Sequence, residues 1–383
     1  MEKITYIAKT FAGLEDVLSE ELKALGAENI QKLNRAVMFD ADMALLYRAN
    51  LALRTCLRII QPLLVHEYIR SAQDLYDFAR SVNWLRWFNE SQTFAVHSVV
   101  DKAEQFNNSM LVSLKVKDAI ADQFRQYKGE RPSVDKEKPA IRIEVHLHRE
   151  RCTLSIDSSG EALHKRGYRE GGHVAPLNEI LAAALVLKSG WDGTTTLLDP
   201  MCGSGTILTE AAMIAHHIAP NLKRDDFGFQ NWKNYDAELY DKVWLEEKAK
   251  ILPDIEAKII GFDINKGAII EARANVTNAG VDESVRLSVG DFFEKIPPKE
   301  TGMMISNVPY GERVTVDDAI LDFYKRMGDQ FKQQYQGWTA WILSGNVEAI
   351  KNIGLKPTRK EQLFNGAIAC SFAKYELYAG RKA

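Results

Sequence analysis

The 383-residue chain is 46% hydrophobic and 26% charged, with a formal net charge of −3. That balance describes an ordinary globular protein of two or three domains and excludes a uniformly basic nucleic-acid binder, while leaving room for a local basic patch. No apolar run approaches the roughly 18 residues of a membrane span, the opening "MEKITYIAKT" lacks the apolar core of a secretory signal, and the four scattered cysteines (Cys56, Cys152, Cys202, Cys370) form no CxxC pair or disulfide framework, which points to a reducing cytosol.

Residues 1–65 read as a small α+β unit. "KITYIAKT" is strand-like, and Leu14, Val17, Leu18, Leu22 and Leu25 fall on one face of a helix. "RAVMFDAD" predicts a second strand leading into the helix "MALLYRANLALRTC". Residues 66–160 form a second unit: a helix over "AQDLYDFARSVNWLRWF", in which Trp84 and Trp87 are core candidates, then a strand, "QTFAVHSVV". A helix around Val112–Tyr127 follows, and the alternating runs "IRIEVHLHRE" and "RCTLSIDSSG" predict a hairpin with one wet face. From Lys115 through Arg169 there are 13 Lys/Arg against 9 Asp/Glu, a mild basic bias. It makes Lys115, Lys117, Arg125, Lys128 and Arg131 candidates for phosphate contacts, joined by Lys165, Arg166 and Arg169 of the connector "LHKRGYRE".

The rhythm changes in residues 161–383 to strand, loop, helix, repeated. "APLNEILAAALVLKSG" predicts a helix with Pro176 in its first turn. "TTTLLDPMCGSGTILTEAAMIA", "AKIIGFDINKGAIIEARANVTNAG", "VRLSVGDFFEK", "MMISNVPYGER" and "WTAWILSGN" follow the same pattern, and Asn365-Gly366 signals a closing hairpin. The expectation is a doubly wound, Rossmann-like parallel sheet with an antiparallel edge.

Ligands of such sheets bind beyond the carboxyl ends of the strands. Asp199 ends one strand and is followed by Gly203 and Gly205, which let a ligand approach the backbone closely. The third glycine of a dinucleotide fingerprint is replaced by Leu208, and there is no P-loop. Asp263 ends the next strand and suits two ribose hydroxyls; Asp291 and Phe292 end the third and suit an adenine. Asp263 lies 64 residues after Asp199, an excess filled by an insert from roughly 216 to 257 that carries Phe227, Phe229, Trp232, Tyr235 and Trp244. Carboxylates where a dinucleotide would need phosphate donors suit a phosphate-free, cationic ligand, and S-adenosylmethionine (SAM) fits. Cys202 in the turn reads as a packing residue. No His/Cys cluster has metal-ligand spacing.

The stretch Asp199-Pro200-Met201-Cys202-Gly203-Ser204-Gly205-Thr206 resembles the first SAM motif of class I amino-methyltransferases. Asn307-Val308-Pro309-Tyr310 resembles their fourth motif, usually Asn-Pro-Pro-Tyr. With "LHKRGYRE", "APLNEILAAALVL" and "NVPYGER", the whole chain is similar to bacterial RlmL/YpsC-type 23S rRNA guanine-N2 methyltransferases, with a ferredoxin-like unit and a THUMP RNA-binding domain ahead of the catalytic domain. The resemblance implies a seven-stranded catalytic sheet, SAM as cofactor with S-adenosylhomocysteine (SAH) as product and no metal, and 23S rRNA or a large-subunit precursor as partner in the cytoplasm. It implies cofactor contacts from Asp199, Pro200, Cys202, Gly203, Gly205, Thr206, Asp263, Ile264, Asp291, Phe292 and Asn307, and a catalytic Asn307-Val308-Pro309-Tyr310 element. A tRNA guanine or a nucleic-acid adenine are alternative targets, and a non-catalytic assembly factor is an alternative class.

An exocyclic amine is a poor nucleophile because its lone pair is delocalised into the ring. Two acceptors can hold its N–H groups and aim the nitrogen. Asn307 Oδ1 is one; by resemblance the carbonyl of residue 308 is the other, and Tyr310 stacks on the base. Because that role belongs to the backbone, Val308 in place of proline is expected to be tolerated, as is the substitution Val308→Pro.

Overall fold

The computed structural model describes residues 3–169, 177–310 and 318–378. Pro176, Glu170 and the "GER" end of "NVPYGER" lie outside them. The first half runs β1 (Ile4–Lys9), α1 (Glu15–Ala24), β2 (Glu28–Leu33), β3 (Ala36–Ala41), α2 (Met43–Ala52), β4 (Arg58–His66), α3 (Ala72–Ser81), β5 (Phe94–Asp101), α4 (Ser109–Lys128), β6 (Ile141–His148) and β7 (Arg151–Asp157). Local chemistry sets these boundaries. Ser71 and Asp74 form a reciprocal capping box on α3, and Asn108 and a left-handed Gly129 bracket α4.

The two N-terminal units share one sheet, ordered β2-β3-β1-β4-β7-β6-β5. Its joint is β4, antiparallel to both β1 and β7. Neither β4 nor β2 was expected from the sequence. β4 holds Pro62, where its register against β7 shifts, and β2 is an almost wholly exposed polar edge strand, so neither shows a clean alternation. The helix expected across 72–88 stops at Ser81; a short 3-10 turn carries Trp84, which is fully buried and donates its indole N–H to the Ala79 carbonyl at 2.8 Å.

The second half runs α5 (Glu179–Ser189), β8 (Thr196–Asp199), α6 (Thr206–Ala215), α7 (Ala237–Lys248), β9 (Ile259–Asp263), α8 (Lys266–Ala279), β10 (Val285–Val289), β11 (Gly302–Asn307), α9 (Asp318–Gln334), β12 (Thr339–Ser344), β13 (Arg359–Asn365) and β14 (Ile368–Glu376). Its seven strands are ordered β10-β9-β8-β11-β12-β14-β13. The pairs from β10 to β12 are parallel, and β14 runs antiparallel to β12 and β13, as the Asn365-Gly366 signal predicts. β10 leads into turns rather than a helix. Between β8 and β11 the strand order reverses, which opens a crevice at their carboxyl ends.

The aromatic insert is structural. Phe227, Phe229, Trp232, Tyr240 and Val243 are buried in the core of the N-terminal sheet, against Tyr47 of α2 and Trp87. Phe227 and Phe229 stack at 5.2 Å, and the Tyr47 hydroxyl accepts the Asp236 N–H at 3.0 Å. Arg48 of α2 reaches Glu246 and Glu247 of α7. An excursion from the second sheet thus completes the hydrophobic core of the first.

Candidate active site

The crevice is a cleft of about 440 Å³ lined by residues from the ends of β8, β9 and β11 and the starts of α6 and α8, among them Asp199, Cys202, Gly203, Thr206, Asp263, Glu271 and Asn307. Three strand ends converge here because parallel pairing aligns them: Asp199 stands opposite Gly261 of β9, and Met304 of β11 opposite Leu198.

The glycine-rich loop between β8 and α6 is held by the end of β9. Gly203 donates its N–H to Asp263 Oδ2 at 2.9 Å, and Cys202 donates its N–H to the Phe262 carbonyl at 3.1 Å. Gly203 and Gly205 have φ of 52° and 75°, in the left-handed region that favours glycine. A Cβ on Gly203 would meet no protein atom within 4 Å, whereas one on Gly205 would stand 3.0 Å from Ala272 Cβ. The first glycine therefore leaves room beside the cleft, and the second lets α6 and α8 pack.

Asp199 is fully buried. Its Oδ1 accepts from Ser306 Oγ at 2.7 Å and from the Met201 N–H at 3.2 Å, tying β8 to β11. Burial pushes this carboxyl up to about 7; the two hydrogen bonds pull it back, and the Asp263 charge adds to the rise. Asp263 Oδ1 also accepts the Asn265 N–H at 2.8 Å, and Asn265 in turn caps α8. Each carboxylate oxygen of Asp263 therefore has a second lone pair to offer. Burial pushes the Cys202 thiol up as well, away from the thiolate a nucleophile needs.

On the β11 side, Asn307 Oδ1 is buried and has no hydrogen-bond partner among the described residues. Its neighbours in sequence are each fixed. Val308 is buried and donates its N–H to the Leu343 carbonyl at 3.2 Å, and the Pro309 carbonyl accepts from the Tyr324 hydroxyl at 3.1 Å. The half-buried Tyr310 hydroxyl accepts from Asn365 Nδ2 at 2.9 Å.

Several expected residues stand elsewhere. Phe292 does not line the cleft: its ring is buried 5.6 Å from Tyr335 and 6.0 Å from Phe331. Asp291 is also absent from the lining and closes a turn, accepting the Phe293 N–H at 2.9 Å. Pro200, the first residue of the loop, is buried and does not line the cleft, and Ile264, next to Asp263 in the chain, is 71% exposed. Ser306, Asn265 and Glu271 were not anticipated. Asn265 had a signal, an N-cap residue two places after a strand-ending aspartate; Ser306 and Glu271 had none.

The basic candidates divide. Arg125, Lys128 and Arg131 are exposed at the end of α4 and just beyond it, with Lys115 and Lys117 half-buried on the same helix. Lys165 is exposed and paired with Glu161. Arg166 is not a surface residue: its side chain is 1% exposed and pairs with the fully buried Glu210 of α6, which also accepts from Tyr168 at 2.8 Å, while the Arg166 guanidinium reaches the Arg54 carbonyl. Arg169 is likewise turned inward, donating to Thr206 Oγ1 at 2.8 Å and the Leu177 carbonyl at 3.0 Å and facing Glu179 at 3.2 Å. These two arginines clamp the connector to the cofactor loop and its helix, so their charge is not offered to a phosphate.

Among the described residues, no group of three or more His, Cys, Asp or Glu is placed to hold a metal ion, and no helix is long and apolar enough to cross a membrane. All four cysteines are free and buried.

A doubly wound sheet with a glycine loop, paired carboxylates and an open asparagine acceptor at its switch point defines the class I methyltransferase architecture. The chain belongs to the RMKL-like methyltransferase family, whose domain model matches residues 166–374. Residues 70–157 match the THUMP domain and residues 5–60 the RlmL ferredoxin-like domain. The slr0064 protein of Synechocystis, named as an RNA methyltransferase, is 38% identical over 373 residues, 97% of each chain. The ribosomal RNA large subunit methyltransferase K/L of Shewanella amazonensis is 38% identical over 378 residues, covering 98% of this chain and 53% of that protein. The chain thus spans about half the length of its K/L relatives. Among solved structures, SMU.472, described as a methyltransferase and complexed with SAH, superposes with a TM-score of 0.89 at 30% identity, covering 100% of both chains. TrmN from Thermus thermophilus shares the fold, with a TM-score of 0.73 at 18% identity over 98% of this chain and 100% of that one.

Proposed function

We propose that this protein methylates the exocyclic N2 amine of a guanine in RNA, most specifically in 23S rRNA or a large-subunit precursor, in the cytoplasm. The observation that carries the reading is Asn307 Oδ1, a buried acceptor without a partner among the described residues, lining the Asp199–Asp263 cleft. Buried polar atoms are almost always satisfied, so an unpaired one beside a ligand cleft marks where a donor docks. The names of the slr0064 and K/L relatives supply the RNA and the ribosomal context. On this reading residues 1–65, 66–160 and 161–383 act as ferredoxin-like, THUMP and catalytic units.

The cleft suits SAM. Asp199 and Asp263 offer negative charge to its cationic groups, Asp263 has lone pairs free for ribose hydroxyls, and Gly203 leaves space at its α-carbon. Gly205 and Thr206 shape the loop, Ile264 offers an exposed apolar side chain for the adenine, and Asp291, just past β10 and outside the cleft lining, is the acceptor proposed for its amine. SAM supplies a methyl group on a sulfonium sulfur. Asn307 Oδ1 and the Val308 carbonyl accept the two N–H groups of the target amine and aim its nitrogen into the cleft, and Tyr310 stacks on the base. Positioning of this kind supplies most of the rate enhancement. Lys115, Lys117, Arg125, Lys128, Arg131 and Lys165 are the proposed phosphate contacts.

Calorimetry with SAM and nucleoside mass spectrometry of rRNA and tRNA from a strain lacking the protein test this reading. SAM binding and the loss of one N2-methylguanosine from 23S rRNA are expected. A protein that binds no SAM is the assembly-factor alternative, and a loss confined to tRNA or to methyladenosine identifies a different substrate.

A further inference from the structure

Tyr310 is held by residues from distant parts of the sequence. Its hydroxyl accepts from Asn365 Nδ2 at 2.9 Å, at the end of β13 where the closing hairpin turns, and also faces the Asn307 side chain. Its ring lies against Gly345, just past β12: a Cβ added there would stand 3.1 Å from Tyr310 Cδ2 and 3.2 Å from Cε2, and 2.8 Å from Ile368 Cγ2 of the same hairpin. Its carbonyl accepts from Asn346 Nδ2 at 3.4 Å. The ring is thus seated on one face and tethered at its far end, while its backbone continues directly from the Asn307 acceptor.

We propose that Asn365 is a positioning residue for the acceptor base, acting through the Tyr310 hydroxyl, with Gly345 providing the seat for the ring. The inference rests on the reading of Asn307–Tyr310 as the base-binding element and assigns a role to the hairpin tip. An untethered Tyr310 ring can swing about χ1 and χ2. The stacking plane then no longer sets the height of the base against Asn307 Oδ1, and small misplacements at an in-line transfer are expensive in rate. Because the tether is a hydrogen bond to one atom, its effect must vanish when that atom is removed.

The test is a double-mutant cycle on methyl transfer from tritiated SAM to rRNA purified from a strain lacking the protein, with SAM affinity and thermal unfolding measured alongside. Asn365→Leu and Tyr310→Phe are each expected to lower kcat about tenfold with SAM affinity unchanged. Asn365→Leu added to Tyr310→Phe is expected to change kcat less than about twofold further, since contacting residues are coupled. Gly345→Ala crowds the ring without touching the hydroxyl and is expected to lower kcat alone by a similar factor. Full turnover in Asn365→Leu overturns the proposal. So does an equal loss in the two backgrounds, which would place Asn365 directly on the RNA. A wild-type protein that transfers no methyl overturns the functional reading and this inference with it, whereas wild-type transfer with an unaffected Asn365→Leu variant overturns the inference alone.

Discussion

The two sides of the cleft are built on opposite principles. On the β8–β9 side nearly every polar group is already satisfied: Gly203 N–H on Asp263, Asn265 N–H on Asp263, Ser306 Oγ on Asp199. On the β11 side the backbone is equally well fixed, but a side-chain oxygen, Asn307 Oδ1, has no partner among the described residues. The cofactor side is a preformed mould, and the acceptor side is a rigid frame around an open valence. A loop of glycines has many conformations to lose, so it needs internal bonds to exist at all. A strand end is already ordered by the sheet and can leave one group open.

Breaking the open valence has the largest expected effect. Asn307→Ala is expected to reduce methyl transfer by about 100-fold or more, the scale for losing one preorganised polar group. SAM affinity in calorimetry changes by less than about threefold, because the mould does not depend on Oδ1. Comparable losses of SAM binding and of turnover would merge the two sides into one.

The next effect separates the sides by pH. A carboxyl whose pKa is raised in the folded state holds its proton more tightly when folded. Asp199, raised from its usual 3.8 to about 7, therefore weakens the fold as pH rises from about 4 to 7, and above 7 the penalty is complete. Asp199→Asn keeps an acceptor for Ser306 and Met201 but removes the charge. It is expected to unfold at a higher temperature than wild type at pH 8, by a stability difference on the order of 4 kcal/mol, with the gap narrowing toward pH 5. Its SAM affinity is expected to fall, and wild-type affinity to weaken below pH 7 as the proton returns. A wild-type melting temperature that rises from pH 5 to 8 relative to Asp199→Asn would contradict the assignment.

The smallest effect sharpens the frame. The sequence alone makes Val308→Pro neutral, because the proposed acceptor at that position is a carbonyl. The structure adds a cost: the Val308 N–H continues the β11–β12 pairing onto the Leu343 carbonyl, and proline has no N–H to give. Val308→Pro is expected to lose about 1 kcal/mol of stability, seen as a lower melting temperature, with methyl transfer within a few-fold of wild type. An unchanged melting temperature would show that the bond at 3.2 Å contributes nothing.

Much of the catalytic half is legible in the sequence because its signals are local. A β-branched strand, an aspartate and a glycine turn lie within ten residues of one another, as do the strand, asparagine and proline of the fourth motif. The hairpin at Asn365-Gly366 is equally local and forms as expected. What those signals do not carry is the direction of a side chain. Phe292 and Asp291 follow β10 as the sequence predicts, yet the ring turns into the core against Phe331 and Tyr335, residues of the distant α9 region. The insert's aromatics stand between charges with no role legible in the sequence, and are the missing part of another unit's core.

The sequence by itself determined the class of fold, the strand ends that face the cleft and the chemistry those ends can perform, because each depends on residues adjacent in the chain. Only the tertiary structure decided which charges are spent internally and which remain for a ligand. Arg166 and Arg169 read as surface cations until Glu210, Glu179 and Thr206 are brought beside them. Asn307 reads as one polar residue among many until its oxygen is seen to be buried in the cleft with no partner among the described residues. Burial and pairing are properties of the space around a group, and that space is filled by residues tens to hundreds of positions away.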